Sequence, residues 1–131
     1  MRNFGIAVAA ATAVVVTAFG FAGTGLAAGD PAGQKAERVV LTLGKGGDKK
    51  KLFHPDRINL EAGRRYTLVI QNPSAEVHEF DSPGLVSAVW SSGVKIFEDF
   101  GPTAQPVAEV VGTPAEMEVF PGNTVEWTFV T

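Results

Sequence analysis

Apolar and polar residues alternate along several short segments of the chain, with the period of two that is typical of β-strands. The alternation is clearest over residues 39–43, 66–72, 117–119 and 125–129. Every second side chain of such a segment faces the same side of a sheet, so each segment can bury one apolar face. Turns rich in glycine and proline separate these segments, and no long helical pattern interrupts them. The sequence therefore predicts an all-β domain, an antiparallel β-sandwich or barrel.

The last two alternating segments are joined by Pro121-Gly122, which fits the two central positions of a type II turn. Met117 and Val119 alternate with glutamates before this turn, and Trp127 belongs to the alternation after it. The pattern predicts a β-hairpin with an apolar inner face.

The interval between residues 82 and 112 is less regular. Residues 82–93 begin with Ser-Pro, carry apolar residues at helical spacing and end in glycine, a pattern that is typical of a short helix. We expect one short helix in this region and a short strand at residues 94–97.

An apolar stretch without charged side chains follows the Met-Arg-Asn start of the chain. This order is typical of a secretory signal, and the small residues that follow predict cleavage after Ala27 or Ala28. The stretch approaches the roughly 20 residues that span a bilayer, so an uncleaved anchor is the alternative. We expect cleavage, a periplasmic or otherwise secreted protein, and no stable membrane insertion afterwards.

The predicted organisation is a signal peptide over residues 1–27, a flexible lead-in over 28–36 and one domain over 37–131. Lys and Arg number 11 against 14 Asp and Glu, a net charge of −3 that disfavours nucleic acid as a partner. The chain has no cysteine, so disulfides cannot supplement its core. It also lacks the common catalytic motifs, and we do not expect an enzyme.

Several short motifs follow one another in a fixed order along the predicted domain. They are Phe-x-Pro-x-x-Ile at 53–58, Ala-Gly at 62–63, the strand at 66–72 that ends in Asn, His-Glu-Phe at 78–80, and Pro-Gly-x-Thr at 121–124. This order resembles the cupredoxin family, and in particular its exported bacterial cupredoxin-like members. The resemblance implies a Greek-key β-sandwich or barrel of cupredoxin type.

In that family, copper is bound by a histidine that follows the Asn-ended strand and by a Cys, a His and usually a Met from a later loop. The resemblance implies that His78 is the first of these ligands. The thiolate that a blue-copper site needs is absent, because the chain has no cysteine. Of the remaining soft or nitrogen ligands, we expect His54 to lie at the surface and Met117 to fill the core.

The chain stops at Thr131 within an alternating segment, where the family continues with a Cys-bearing strand. We therefore expect a C-terminally truncated domain whose last strand lacks a neighbour. The resemblance implies a copper-binding protein that functions in one-electron transfer or copper handling, with an incomplete metal site in this chain. Its partner would be a redox or metal-transport protein that the sequence does not identify. The alternative is a copper-free periplasmic binding or accessory module, for instance one associated with iron uptake.

Overall fold

The computed structural model describes residues 30–44 and 52–131 of the chain. The predicted signal peptide, residues 1–27, lies outside the described residues. Strands account for 44% of the described residues and helices for 9%, so the protein is mostly β, as the alternation predicts. Within these two ranges, no helix has both the length and the apolar character that a bilayer crossing requires.

Eight strands, one short α-helix and one 3-10 helix are present in the described residues. The strands are β1 (Glu37–Leu43), β2 (Phe53–His54), β3 (Arg65–Gln71), β4 (His78–Asp81), β5 (Trp90–Phe97), β6 (Ala108–Val110), β7 (Glu116–Val119) and β8 (Thr124–Val130). The α-helix, α1, covers Pro83–Ala88, and the 3-10 helix covers Pro31–Gly33. Six strands form one sheet in the order β2-β1-β3-β8-β5-β6, and β4 and β7 form a second, two-stranded sheet.

The two sheets share one hydrophobic core. Ile70 of β3 and Trp127 of β8 contribute to it from the six-stranded sheet, and Phe80 of β4 and Val119 of β7 contribute from the two-stranded sheet. Because both sheets bury their apolar faces in the same core, the architecture is sandwich-like.

The predicted hairpin of β7 and β8 is wrong. β7 pairs with β4, whereas β8 pairs with β3 and β5. The turn at Pro121-Gly122, where Gly122 has a φ of +79°, carries the chain from one sheet to the other. The apolar inner face is nevertheless present, since Met117, Val119 and Trp127 are buried. Alternation identifies the buried face of a strand but not its neighbour.

The pairing of β1 with β3 is parallel, with Val39 opposite Leu68 and Leu41 opposite Ile70. The other pairs are antiparallel, so the sheet is mixed and the expected wholly antiparallel fold is wrong. A parallel pair needs a long connection, which residues 44–64 provide.

Helix α1 is present but ends at Ala88, earlier than predicted. Val89 is already extended, and Trp90 begins β5 opposite Val130. Strand β5 is therefore longer than the predicted segment 94–97. Gly93 has a φ of +147° and lies where the register of β5 shifts against β8. Pairing with β8 over its whole length outweighs the helical spacing of the apolar residues.

Strand β8 lies between β3 and β5, so the expectation that the last strand lacks a neighbour is wrong. Beyond β8, the backbone N–H of Thr131 donates to the carbonyl of Arg64 (3.0 Å), and the N–H of Gly63 donates to the carbonyl of Thr131 (2.7 Å). The inward side chains Trp127 and Phe129 are fully buried. Packing thus covers the apolar face of this strand.

The predicted lead-in contains the 3-10 helix, which begins with a side-chain cap. The carboxylate of Asp30 accepts a hydrogen bond from the N–H of Ala32 (3.0 Å). The guanidinium of Arg65 in β3 donates to the carbonyls of Ala32 and Gln34. These bonds hold the 3-10 helix against the six-stranded sheet.

Candidate functional site at His78

The loop between β3 and β4 is organised by Asn72, which directly follows β3 and has no solvent exposure. Its Oδ1 accepts hydrogen bonds from the N–H (3.0 Å) and the Oγ (2.7 Å) of Ser74. Its Nδ2 donates to the carbonyls of Glu76 and Val119, both at 2.7 Å. The contact with the carbonyl of Val119 ties this loop to the end of β7. Both the oxygen and the nitrogen of this buried amide have hydrogen-bond partners, so Asn72 has a structural role rather than a reactive one.

His78 is the first residue of β4, and its side chain points into the protein. Alternation along β4 buries His78 and Phe80 and exposes Glu79 between them. The Nε2 atom of His78 lies 2.8 Å from Ser74 Oγ. The predicted metal ligand is therefore a buried, hydrogen-bonded residue at the edge of the core.

The hydrogen bonds around Ser74 determine which nitrogen of His78 carries a proton. Ser74 Oγ has one hydrogen, and its neighbours Asn72 Oδ1 (2.7 Å) and the carbonyl of Glu76 (3.1 Å) can only accept one. The orientation of the Asn72 amide is fixed by its two donations to carbonyls. Ser74 Oγ must therefore accept from His78, which requires an N–H at Nε2. In neutral His78, Nδ1 is then the unprotonated nitrogen.

The Nε2–Cε1 edge of the His78 ring also lies close to Gly44, the residue that follows β1. A Cβ built on Gly44 would lie 2.8 Å from His78 Nε2, 3.0 Å from Cε1 and 3.2 Å from the Cβ of Ser74. Gly44 also has a φ of +61°, which disfavours any residue with a side chain. The Nε2 edge of the ring thus contacts both the hydroxyl of Ser74 and the backbone of Gly44.

His54 and Met117 are the two remaining candidate ligands. Within residues 30–44 and 52–131, no cluster of three or more His, Cys, Asp or Glu side chains could bind a metal ion. Met117 is buried opposite Phe80 in the core, as its alternation predicts. A blue-copper centre needs a thiolate and a second imidazole beside the first, so the described residues do not fit that group.

The expected surface position of His54 is only partly right. His54 is half-buried in β2 opposite Thr42, and its Nε2 is buried without a hydrogen-bond partner in the described part of the chain. The pairing of β2 with β1 brings this side chain into its half-buried position. A strand of only two residues has no alternation pattern from which this pairing could be predicted.

The outer face of the two-stranded sheet carries four carboxylates next to this site. Glu79 lies directly opposite Glu118, and Asp81 lies directly opposite Glu116. All four are exposed. Like charges directly opposite each other on paired strands are mildly destabilising, so these carboxylate pairs lower the stability of the fold slightly.

The sequence indicates His78 as a candidate ligand but gives no comparable signal for the residues that contact it. Ser74 and Gly44 were not singled out, although Asn72-Pro73-Ser74 is a typical Asx-turn sequence and could have suggested a side chain that caps its own loop. The contact with Gly44 joins distant parts of the chain and left no local signal.

The chain matches no protein-family model, and no curated protein matches it. The resemblance to cupredoxins therefore rests on the order of its motifs alone.

Proposed function

We propose that this chain is an exported cupredoxin-like β-sandwich that acts as a binding or accessory module without a resident copper ion. The observation that carries the proposal is the structural use of His78. Its Nε2–H donates to Ser74, whose hydroxyl is in turn bonded to the buried Asn72. This chain of bonds stabilises the β3–β4 loop and connects it to β7 through the carbonyl of Val119.

Three further points support the proposal. The chain has no cysteine, so its own residues cannot supply the thiolate of a blue-copper centre. The mixed six-stranded sheet packed on a smaller sheet is compatible with a Greek-key cupredoxin-type sandwich. The charged start and apolar stretch of the sequence favour export. A partner in iron or other metal transport stays a prediction.

A copper titration tests the proposal. The purified protein is titrated with Cu(II), and with Cu(I) under a weak competing chelator, while heat release and the visible spectrum are followed. We expect no stoichiometric binding and no intense visible band. One equivalent of tightly bound copper, lost in His78→Leu but retained in His54→Leu, would overturn the proposal.

A copper-handling role is the second candidate, and one feature of His78 favours it. A histidine that binds a metal usually donates its other ring N–H to a neighbouring polar group, which fixes the ring and the tautomer. His78 has the same kind of hydrogen bond, from Nε2–H to Ser74, and Nδ1 is the ring nitrogen that this bond leaves for a metal. The described residues contain no group of three or more His, Cys, Asp or Glu side chains that could complete such a site. The copper titration of the two histidine variants separates this candidate from the first: copper binding that is lost in His78→Leu but retained in His54→Leu supports copper handling.

A further inference from the structure

A cavity of about 440 Å³ lies on the outer face of the six-stranded sheet, on the opposite side from the core. Its floor consists of outward side chains from four strands, among them Val69 and Gln71 of β3 and Thr124 of β8. Its wall is the segment 99–104 that follows β5. Cavities of this size commonly bind small molecules.

The wall of this cavity is shaped by its own short-range hydrogen bonds. The N–H of Gly101 donates to the carboxylate of Asp99 (3.1 Å), and the N–H of Ala104 donates to the carbonyl of Gly101 (3.1 Å). Phe97 and Phe100 also line the cavity, and Phe100 is exposed. The cavity therefore has an ordered wall, and its lining includes two aromatic side chains, Phe97 on the floor and Phe100 in the wall.

Thr124 lies on the cavity floor and is only 4% exposed. Its Oγ1 is buried and has no hydrogen-bond partner in the described residues. A hydroxyl in this condition is unfavourable, because it has lost its water without gaining a partner. Because Thr124 also lines the cavity, its hydroxyl is a lining group that still lacks a hydrogen-bond partner. By contrast, Thr67 on the same face is buried with its hydroxyl 3.0 Å from that of Thr128.

The charges around the cavity disfavour an anion. Arg38 donates to Glu126 at 2.6 Å, and this hydrogen bond raises the pKa of Arg38. The guanidinium is thus already neutralised, and Asp99 adds a carboxylate without a cation of its own in the lining. Carboxylates, an amide, a guanidinium and a hydroxyl together offer both donors and acceptors.

We propose that this cavity binds a neutral polyhydroxylated molecule of the size of a monosaccharide. Hydroxyl groups both donate and accept, so they match the mixed lining and the unpaired hydroxyl of Thr124. The apolar face of a sugar ring packs on the side chains of Phe97 and Phe100. This proposal rests on the binding role proposed above and names a ligand class for it. The two are tested separately: the copper titration tests the copper-free binding role, and a sugar titration tests this cavity.

The experiment is a titration of the ¹⁵N-labelled protein with glucose, galactose, mannose and myo-inositol, followed by amide chemical shifts. Choline and inorganic phosphate serve as cationic and anionic probes. We expect at least one neutral probe to bind with millimolar affinity and to shift amides of residues 97–104 and 124–126, while choline and phosphate leave them in place.

Two variants connect the binding to the named side chains. Thr124→Val keeps the shape of the side chain and removes its hydroxyl, so it should weaken binding about tenfold, equivalent to about 1.4 kcal/mol, without lowering the melting temperature. Thr67→Val is the matched control: it loses a satisfied hydrogen bond, so it should melt earlier and bind the probe normally. Phe100→Ala should weaken binding and leave stability nearly unchanged, because this ring is exposed.

Four results would overturn the proposal. They are the absence of shifts at these amides with every neutral probe, binding of choline or phosphate there instead, unchanged binding by Thr124→Val, and unchanged binding by Phe100→Ala. Shifts at these amides that disappear in both variants but persist in Thr67→Val support it.

Discussion

The imidazole of His78 lies against the backbone of Gly44, so closely that a Cβ on residue 44 would come within 2.8 Å of His78 Nε2. The residue that most resembles a copper ligand in the sequence thus contacts both a glycine and the hydroxyl of Ser74 through the same edge of its ring. This contact joins the end of β1 to the start of β4, and it makes the position of the ring depend on two distant parts of the chain.

Gly44→Ala should destabilise the protein by two separate effects. The residue would be strained at a φ of +61°, and its methyl group would displace the His78 ring. We expect a loss of about 2–4 kcal/mol in the free energy of unfolding, measured by urea denaturation.

Gly63→Ala is the matched control for this prediction. Gly63 has a φ of +75°, but a Cβ there would meet nothing within 4 Å, so only the backbone strain of about 1–2 kcal/mol applies. Equal losses in the two variants would contradict the described contact between Gly44 and His78.

The hydrogen bond between Ser74 and His78 should appear as a coupling energy. Ser74→Ala, His78→Leu and the double variant form a double-mutant cycle, and we expect a coupling of about 1 kcal/mol in the free energy of unfolding. Strict additivity of the two single losses would show that the bond does not contribute.

Asn72→Asp should be strongly destabilising although the two side chains have the same shape. The two N–H donations of Asn72, to Glu76 and Val119, would be replaced by a carboxylate oxygen that faces carbonyl oxygens. We expect a loss of about 3 kcal/mol at neutral pH. Asn123→Asp, at a half-buried side chain that forms no hydrogen bond in the described residues, should cost much less.

The stability of Asn72→Asp should also depend on pH in a defined direction. Burial beside carbonyl oxygens favours the neutral carboxyl, so its pKa in the folded state is raised above the value of about 3.9 in the unfolded state. The loss in the free energy of unfolding relative to the parent protein is then smallest below the unfolded-state pKa of about 3.9. It grows as the pH rises from there through the raised pKa of the folded state. Urea denaturation of both proteins between acidic and neutral pH measures it, and a deficit that is independent of pH would contradict the predicted environment.

The acidic outer face of the β4–β7 sheet should respond to a charge reversal. Glu118→Lys places a cation directly opposite Glu79, and we expect a gain of about 0.5 kcal/mol at low salt that shrinks as salt is added. Glu109→Lys is the opposite case, because Glu109 already faces Lys95 across β5 and β6, and it should be destabilising. If both reversals changed the free energy of unfolding in the same direction, the described registers would be wrong.

The strands and their buried faces could be predicted from sequence, but their neighbours could not. Alternation predicts strands at β3 and β8 with one buried apolar face each, and Ile70 and Trp127 lie on those faces. It did not reveal that β1 and β3 run parallel or that β7 pairs with β4, because pairing depends on contacts between distant segments. The helical spacing of residues 82–93 predicts Trp90 in the helix, but Trp90 is the first residue of β5 and pairs with Val130 of β8.

The candidate site was predictable only in its central residue. The motif order indicated His78, while its partners Ser74 and Gly44 follow from the loop conformation and from the packing of β1. Thr124, whose unpaired hydroxyl marks the cavity, looks in the sequence like any outward residue of an alternating strand.

The protonation of the His78 ring tests the account most directly, and long-range ¹H–¹⁵N correlation NMR of the imidazole measures it. For the neutral imidazole we predict a proton on Nε2, none on Nδ1, and no change in either nitrogen when one equivalent of Cu(I) is added. A proton on Nδ1 instead, or a shift of Nδ1 upon addition of Cu(I), would contradict the structural role of His78.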